Sequence, residues 1–400
     1  MTVDLEDLRH IRRADVRKRG RLTARLERRD DGAIEFRYLD DYLARADAEP
    51  VAFTLPLTDA PLVTPSGSLP AFFAGLLPEG HRLTVLRRAV KTSASDELSL
   101  LLAVGEDVPG DVQVVPEGQA PADRETLIGA NSPEALDFES LIDAVDRHAI
   151  PGVQRKASAS MISTPLATRS GRYILKLSPD EYPDLVENEA AHLLAAARMK
   201  VPVSRAAVVT DRTGTTGLLV QRFDRVASDG GFLRLALEDA TQVLGQPPAA
   251  KYALDAERVI RALAEVCRAP AVATRNLYLQ FLFAWLTGNG DLHAKNVAVL
   301  RSDVATRAWA IAPVYDIPCT LVYGDDSMAL PIAGRTRKLR LRHWRELAAA
   351  VGLPERAAAS AERVAVAAAS TVDLASLPFS GSPLNRAERE LRFRRAELEG

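Results

Sequence analysis

A chain of 400 residues with 47% apolar and 26% charged side chains is read as a soluble globular protein of two or three domains, which excludes a disordered or fibrous chain. Its formal charge of −2 gives no whole-chain signal for nucleic-acid binding, and the basic clusters Arg9 to Arg21 and Arg335 to Arg345 read as local, solvated faces. Two cysteines, Cys267 and Cys319, make no disulfide framework; with a charged N-terminus from Asp4 and no bilayer-length apolar run, a cytoplasmic protein without a membrane segment is expected.

In chain order, residues 1–116 read as one unit. Arg21 to Arg28 and Ile34 to Tyr38 alternate around Asp30-Asp-Gly32, the pattern of a β-hairpin. Tyr38 to Arg45 is a short helix or connector, and Pro61 to Pro70 is irregular. Leu69 to Gly80 carries an apolar helix ended by Pro-Glu-Gly, and His81 to Lys91 continues as a helix. Ser95-Asp96 caps a helix from Glu97 to Val104, and Gly110 to Val115 is a strand. Residues 117–133 are polar with Pro and Gly, as in a linker.

The second half begins near Glu134 with a helix to about His148. The turn Pro151-Gly-Val-Gln-Arg-Lys156 leads to a hairpin whose second strand is Arg172 to Leu177. Asp184 to Lys200 is a helix, followed by strands Ala206 to Thr210 and Gly217 to Phe223. From Leu237 the pattern is mostly helical, including an Ala-rich helix from Leu347 to Ala369 and a charged, solvated helix from Arg386 to Glu399. A small lobe of sheet plus helix (134–236) followed by a helical large lobe (237–400) is the order of a bilobal protein kinase. The expected fold class is therefore α+β, with 1–116 as an N-terminal subdomain.

The most informative stretch is Asn289-Gly-Asp-Leu-His-Ala-Lys-Asn296, followed by Tyr315-Asp316. Phosphoryl transfer needs a carboxylate that orients the attacking hydroxyl and accepts its proton, for which Asp291 is placed. It also needs an amide oxygen and a second carboxylate to hold magnesium against the nucleotide phosphates; Asn296 and Asp316 fit. Gly290 is read as a sharp backbone turn before Asp291, and His293 as a brace for the loop. Leu277, Phe281, Leu282 and Trp285 predict a buried helix before the loop, and Val297 to Leu300 a strand after it.

An ATP site must also neutralise phosphates. Lys176 lies within the apolar strand Ile174-Leu-Lys-Leu177, and either Glu189 or Glu187 on the next helix could pair with it. Gln221 and Phe223 are hinge candidates for reading the adenine edge. The phosphate-covering loop falls at Pro151 to Ser158, with Gly152 for close backbone approach and Lys156 for charge. The sequence holds no GxxxxGK[ST] loop, CxxC pair or HExxH, so neither a Walker-type nucleotide site nor a zinc site is expected.

In the first unit, Phe72 to Gly80 and Gly105 to Val114, and in the second, Pro151 to Lys156, Tyr173 to Lys176, Val186 to Glu189, Val220 to Arg225, Glu238-Asp239 with Lys251-Tyr252, Asp291 to Asn296 and Pro313 to Asp316, follow one another in a characteristic order. In this ordered set the chain resembles the HipA family of bacterial serine/threonine kinases, the toxins of HipBA-type toxin–antitoxin pairs. The resemblance implies that Asp291 positions the substrate hydroxyl, that Asn296 and Asp316 bind Mg2+, and that Lys176 contacts ATP phosphates. It also makes Gly152, Val153, Gln154 and Lys156 the phosphate loop, and Val220 to Phe223 the hinge. Implied partners are a protein serine substrate (an aminoacyl-tRNA synthetase for some members), a small helix-turn-helix antitoxin (HipB-like), and operator DNA reached through that antitoxin.

Two departures stand out. Family members can silence themselves on a serine beside the phosphate loop, where this chain has His148-Ala-Ile150. Ile317-Pro318 replaces the glycine that follows the magnesium-binding Asp in conventional kinases, and stiffens the segment. Two other readings compete with an active toxin kinase. One is a corepressor that docks on an antitoxin and DNA with weak or no kinase activity; the other is a small-molecule phosphotransferase of the aminoglycoside type.

Overall fold

The computed structural model describes residues 4–121, 136–138, 161–167, 171–229, 231–303 and 308–399. Among these, residues up to 121 together with Asp224–Ala250 form one compact unit, and the remainder form a second.

The first unit is built on a five-stranded sheet in the order Leu62–Thr64, Ile34–Tyr38, Arg21–Arg28, Arg13–Lys18 and Val112–Pro116, every pair antiparallel. The expected hairpin is present, with Leu26 opposite Phe36 and Ala24 opposite Tyr38. Arg19 (φ 51°) and Gly20 (φ 76°) form the two-residue turn before Arg21, left-handed at both positions as a tight hairpin requires. The inner face of the sheet packs Val16, Leu26 and Phe36 against Phe72, Phe73, Leu98 and Leu101, from the helices Ala71–Gly75 and Glu97–Val104.

The basic cluster at Arg9 to Arg21 is not simply a solvated face. Arg13–Lys18 is a strand, and the Lys18 ammonium is buried, donating to Asp111 at 3.0 Å and to the Val51 carbonyl at 3.2 Å. Charge density along the sequence could not show this, because the partner lies 93 residues away.

Asp224–Ala250 joins this unit through polar ties that no local pattern encodes. Asp224 accepts from the Gly110 amide at 2.9 Å, and Arg225, 3% exposed in its side chain, donates to Gly110 and Val108 carbonyls. Gln242 donates to the Phe72 carbonyl at 2.9 Å. Glu238 takes the Phe53 amide on its carboxylate. Burial pushes the Glu238 carboxyl up to about 8, against the pull of the Phe53 amide and Lys18. In the unfolded chain it titrates near its ordinary value, so the native state holds a proton that the unfolded state has lost between these pH values. That contribution to stability is full below about pH 4.5 and is lost as pH rises through 8. Glu238→Gln is therefore expected to flatten the fall of thermal midpoint between pH 5 and 9; a fall as steep as in the wild type would refute the assignment.

The second unit opens with a four-stranded antiparallel sheet in the order Ile162–Ala167, Arg172–Leu177, Thr216–Gln221 and Ala206–Thr210, followed in chain order by the helices Ala256–Val266, Pro270–Thr287, Leu341–Ala350, Glu355–Ala369 and Gly381–Glu399. Pro270–Thr287 is buried along nearly its whole length from Ala273 onward. The helix expected from Leu347 to Ala369 is interrupted: Gly352 (φ 70°) ends the first helix, and Pro354 precedes the second. The terminal helix is docked rather than solvated. Ala387, Leu391 and Arg394 are buried, and Arg394 donates to the carbonyls of Trp285 and Asp326 with its guanidinium 3.5 Å from the Trp285 ring centroid. The helix expected from 134 to 148 lies outside the described residues apart from 136–138.

Candidate active site

Lys176 stands on Arg172–Leu177, an inner strand hydrogen-bonded on both sides, and not at a sheet edge. Strand alternation sends Leu175 and Leu177 into one core and Lys176 to the opposite face. Its ammonium donates to both Glu189 oxygens at 2.8 and 2.9 Å and to Asp316 Oδ1 at 3.0 Å. Of the two acids considered on the following helix, Glu189 makes this pair; Glu187 is two residues along and only half-buried.

The electrostatics follow from burial. Burial alone disfavours the ammonium, but the charges of Asp316 and Glu189 outweigh it and raise Lys176 above its usual value. Burial likewise pushes the Glu189 carboxyl up, against the pull of Lys176. With the ammonium 2.8 Å away, an ion pair is the state that satisfies both groups.

What brings Asp316 to Lys176 is a contact that sequence reading missed. Asn188, next to Glu189, donates to the Cys319 carbonyl at 2.9 Å and accepts from the Cys319 amide at 2.8 Å. The helix Leu185–Ala196 is thereby fastened to the segment three residues past Asp316. His192, one turn on, is fully buried; burial lowers it to about 4, so it packs as a neutral ring with Nδ1 2.7 Å from the Asn188 carbonyl. Asp316 itself has φ 56°, a left-handed conformation that Asp tolerates better than most residues.

The loop at 289–296 is shaped by two glycines with different duties. Gly288 (φ 76°) ends the helix Pro270–Thr287 in the left-handed region, and its carbonyl accepts from the Thr320 amide at 2.8 Å. Gly290, expected to supply the turn, is not left-handed. Its amide donates to Thr320 Oγ1 at 2.7 Å, and a Cβ there would stand 2.5 Å from the Ser327 carbonyl oxygen, so glycine is required for close approach.

Beyond them, Asn289 Oδ1 accepts from the Asp291 amide at 2.8 Å, and Asn296 Nδ2 donates to the Asp291 carbonyl at 3.0 Å. Asp291 is 1% exposed, and its Oδ1 accepts from the Tyr252 hydroxyl at 2.8 Å. His293 braces the loop, its amide donating to the Asp291 carbonyl and its Nδ1 accepting from the Lys295 amide. Tyr315 donates to the Lys295 carbonyl at 2.7 Å, tying the segment before Asp316 to the loop.

Of the hinge candidates, Gln221 spends its amide on the Arg205 carbonyl at 2.8 Å, and the Phe223 ring lies 5.6 Å from that of Tyr315. Gly152, Val153, Gln154 and Lys156 lie outside the described residues, as does Ala149. Tyr252 and Asn188 stood within the ordered set of segments without a role. Nothing in their local sequence signals the contacts they make.

The HipA-like C-terminal domain family matches residues 148–372, and the HipA N-terminal domain family matches residues 14–115. Y4mE of Sinorhizobium fredii, named as a candidate kinase, is 30% identical over 366 residues, covering 84% of this chain and 85% of that protein. The serine/threonine-protein kinase toxin HipA of Shewanella oneidensis is 26% identical over 312 residues, covering 71% and 70%. Among solved structures, the complex of HipA, HipB and operator DNA from Shewanella oneidensis MR-1 matches with a TM-score of 0.74 at 20% identity over 96% of each chain. That likeness bears on the fold, which is α+β and kinase-like. By the two domain matches and the extent of its similarity to Y4mE, this chain belongs to the HipA family.

Proposed function

We propose that this chain is an ATP- and Mg2+-dependent protein serine/threonine kinase that acts in the cytoplasm as the toxin of a type II toxin–antitoxin pair. The observation that carries this reading is the junction of Lys176, Glu189 and Asp316 beside a loop that presents Asp291 and Asn296. A lysine held protonated by two acids suits the phosphates of a nucleotide, and Glu189 keeps it from swinging away. Gly152, Val153, Gln154 and Lys156 would cover those phosphates, and the backbone near Gln221 and Phe223 would face the adenine.

The donor set suits magnesium. Because Asn296 Nδ2 is turned to the Asp291 carbonyl, its amide oxygen is left as the donor for a cation, and Asp316 adds a carboxylate. One amide and one carboxylate are enough for an ion that takes its other ligands from water and phosphate oxygens. When bound, the ion neutralises charge on the transferring phosphoryl group. In the transfer, the acceptor hydroxyl oxygen bonds the γ-phosphorus while the bond to the β–γ bridging oxygen breaks. The hydroxyl proton passes to Asp291, and ADP leaves.

The partners follow the relatives. A serine-bearing protein, of which an aminoacyl-tRNA synthetase is the kind that would arrest translation, is the proposed substrate. A HipB-like helix-turn-helix antitoxin is the proposed binding partner and the link to operator DNA, as supported by the HipA–HipB–DNA assembly of the Shewanella relative. No helix among the described residues is long and apolar enough to cross a membrane.

The test is transfer from labelled ATP, with magnesium, into a cell extract of the host, beside Asp291→Asn. The expected result is a labelled protein band that the variant lane lacks. Equal labelling by both proteins, or none by the wild type, would overturn the proposal.

A further inference from the structure

We infer that Tyr252 is a positioning residue for Asp291, holding its carboxylate in the orientation that receives the acceptor's proton. This rests on the kinase reading above. Tyr252 ends the 3-10 turn Pro248–Tyr252, and its hydroxyl donates to Asp291 Oδ1 at 2.8 Å. Its ring stands edge-on to His293, with centroids 5.1 Å apart at an interplanar angle of 80°, and the Lys251 ammonium lies 5.1 Å from the Tyr252 ring centroid. The phenol is therefore oriented by a neighbour that belongs to the same loop as Asp291.

The chemistry gives this contact a purpose. A carboxylate turns easily about its last torsion, and a general base is effective only when one oxygen faces the hydroxyl it deprotonates. The backbone around Asp291 is fixed by Asn289 and Asn296, but those bonds do not set the carboxylate plane. Tyr252 acts on the carboxylate itself by binding Oδ1, which favours an orientation in which Oδ2 takes the acceptor's proton in the proposed transfer. Tyr252 is 38% exposed while Asp291 is 1% exposed, so the phenol reaches inward from the surface to a buried base. An O–H donated to a charged oxygen is among the stronger hydrogen bonds.

Tyr252→Phe removes the hydroxyl and keeps the ring. Wild type, Tyr252→Phe and Asp291→Asn are to be compared in steady-state phosphoryl transfer from ATP to water and to dephosphorylated casein, with thermal midpoints measured in parallel. The expected result for Tyr252→Phe, assayed well below the unfolding temperature of each protein, is a roughly tenfold lower kcat with KM for ATP unchanged, and a thermal midpoint lowered only by the few degrees that one lost hydrogen bond to a buried carboxylate costs. Tenfold corresponds to about 1.4 kcal/mol of transition-state stabilisation. An unchanged or faster kcat would overturn the inference while the kinase reading stands, and a faster one would mark the hydroxyl as an obstruction. A kcat loss in a variant already partly unfolded at the assay temperature would also overturn it, as a structural effect. A wild type no faster than Asp291→Asn overturns the kinase reading and this inference with it.

Discussion

Lys176→Met is expected to lower phosphoryl transfer by about 10²–10³-fold and to lower stability by roughly 3–5 kcal/mol. The two losses have different origins. On the proposed kinase reading, turnover falls because the ammonium assigned to the phosphates is gone. Stability falls because Glu189, 1% exposed in its side chain, is left beside Asp316 with no cation between them. The double variant Lys176→Met/Glu189→Gln separates them: with the buried acid made neutral, most of the stability returns and the turnover does not. Urea denaturation and ATP turnover on the three proteins give both readings. A single variant that keeps wild-type turnover would remove Lys176 from the phosphate site.

Arg394→Ala is expected to cost about 3–5 kcal/mol, the range for breaking a buried, hydrogen-bonded charge arrangement. Arg394 is 3% exposed; it bonds Glu390 at 2.9 Å and the carbonyls of Trp285 and Asp326 at 3.0 and 2.9 Å. Burial lowers its guanidinium below the usual value, and the Glu390 carboxylate pulls the other way. The consequence reaches the active loop. Trp285 lies in the last turn of the helix that Gly288 ends, and Asp325, beside Asp326, lines the space that a Cβ at Gly290 would need. Loss of turnover below the temperature at which the variant unfolds would show that the terminal helix supports the loop. A variant as stable as the wild type in urea would show that these contacts contribute nothing.

Much of the fold was legible because the signals were local. The alternation on either side of Asp30-Asp-Gly32 specified a hairpin, and Asp96 at the head of an apolar run specified a helix start. The buried helix before the loop followed from Leu277, Phe281, Leu282 and Trp285. The break at Gly352-Leu-Pro354 was equally local, and the Ala-rich stretch masked it because alanine propensity runs through both flanks.

The sequence by itself determined the α+β class and the family, and it supplied the set of residues proposed for a phosphoryl-transfer site. These depend on residue type, spacing and order along the chain. Tertiary structure alone decided which acid meets Lys176, because Glu187 and Glu189 are equally placed in sequence and differ only in the helix face they occupy. It alone assigned the turn to Gly288 and close approach to Gly290, buried Lys18 against Asp111, and set Tyr252 on Asp291 across 39 residues. A hydrogen bond or an ion pair is a matter of distance in space. A chain that returns to the same point after tens of residues leaves no trace of that return in its local pattern.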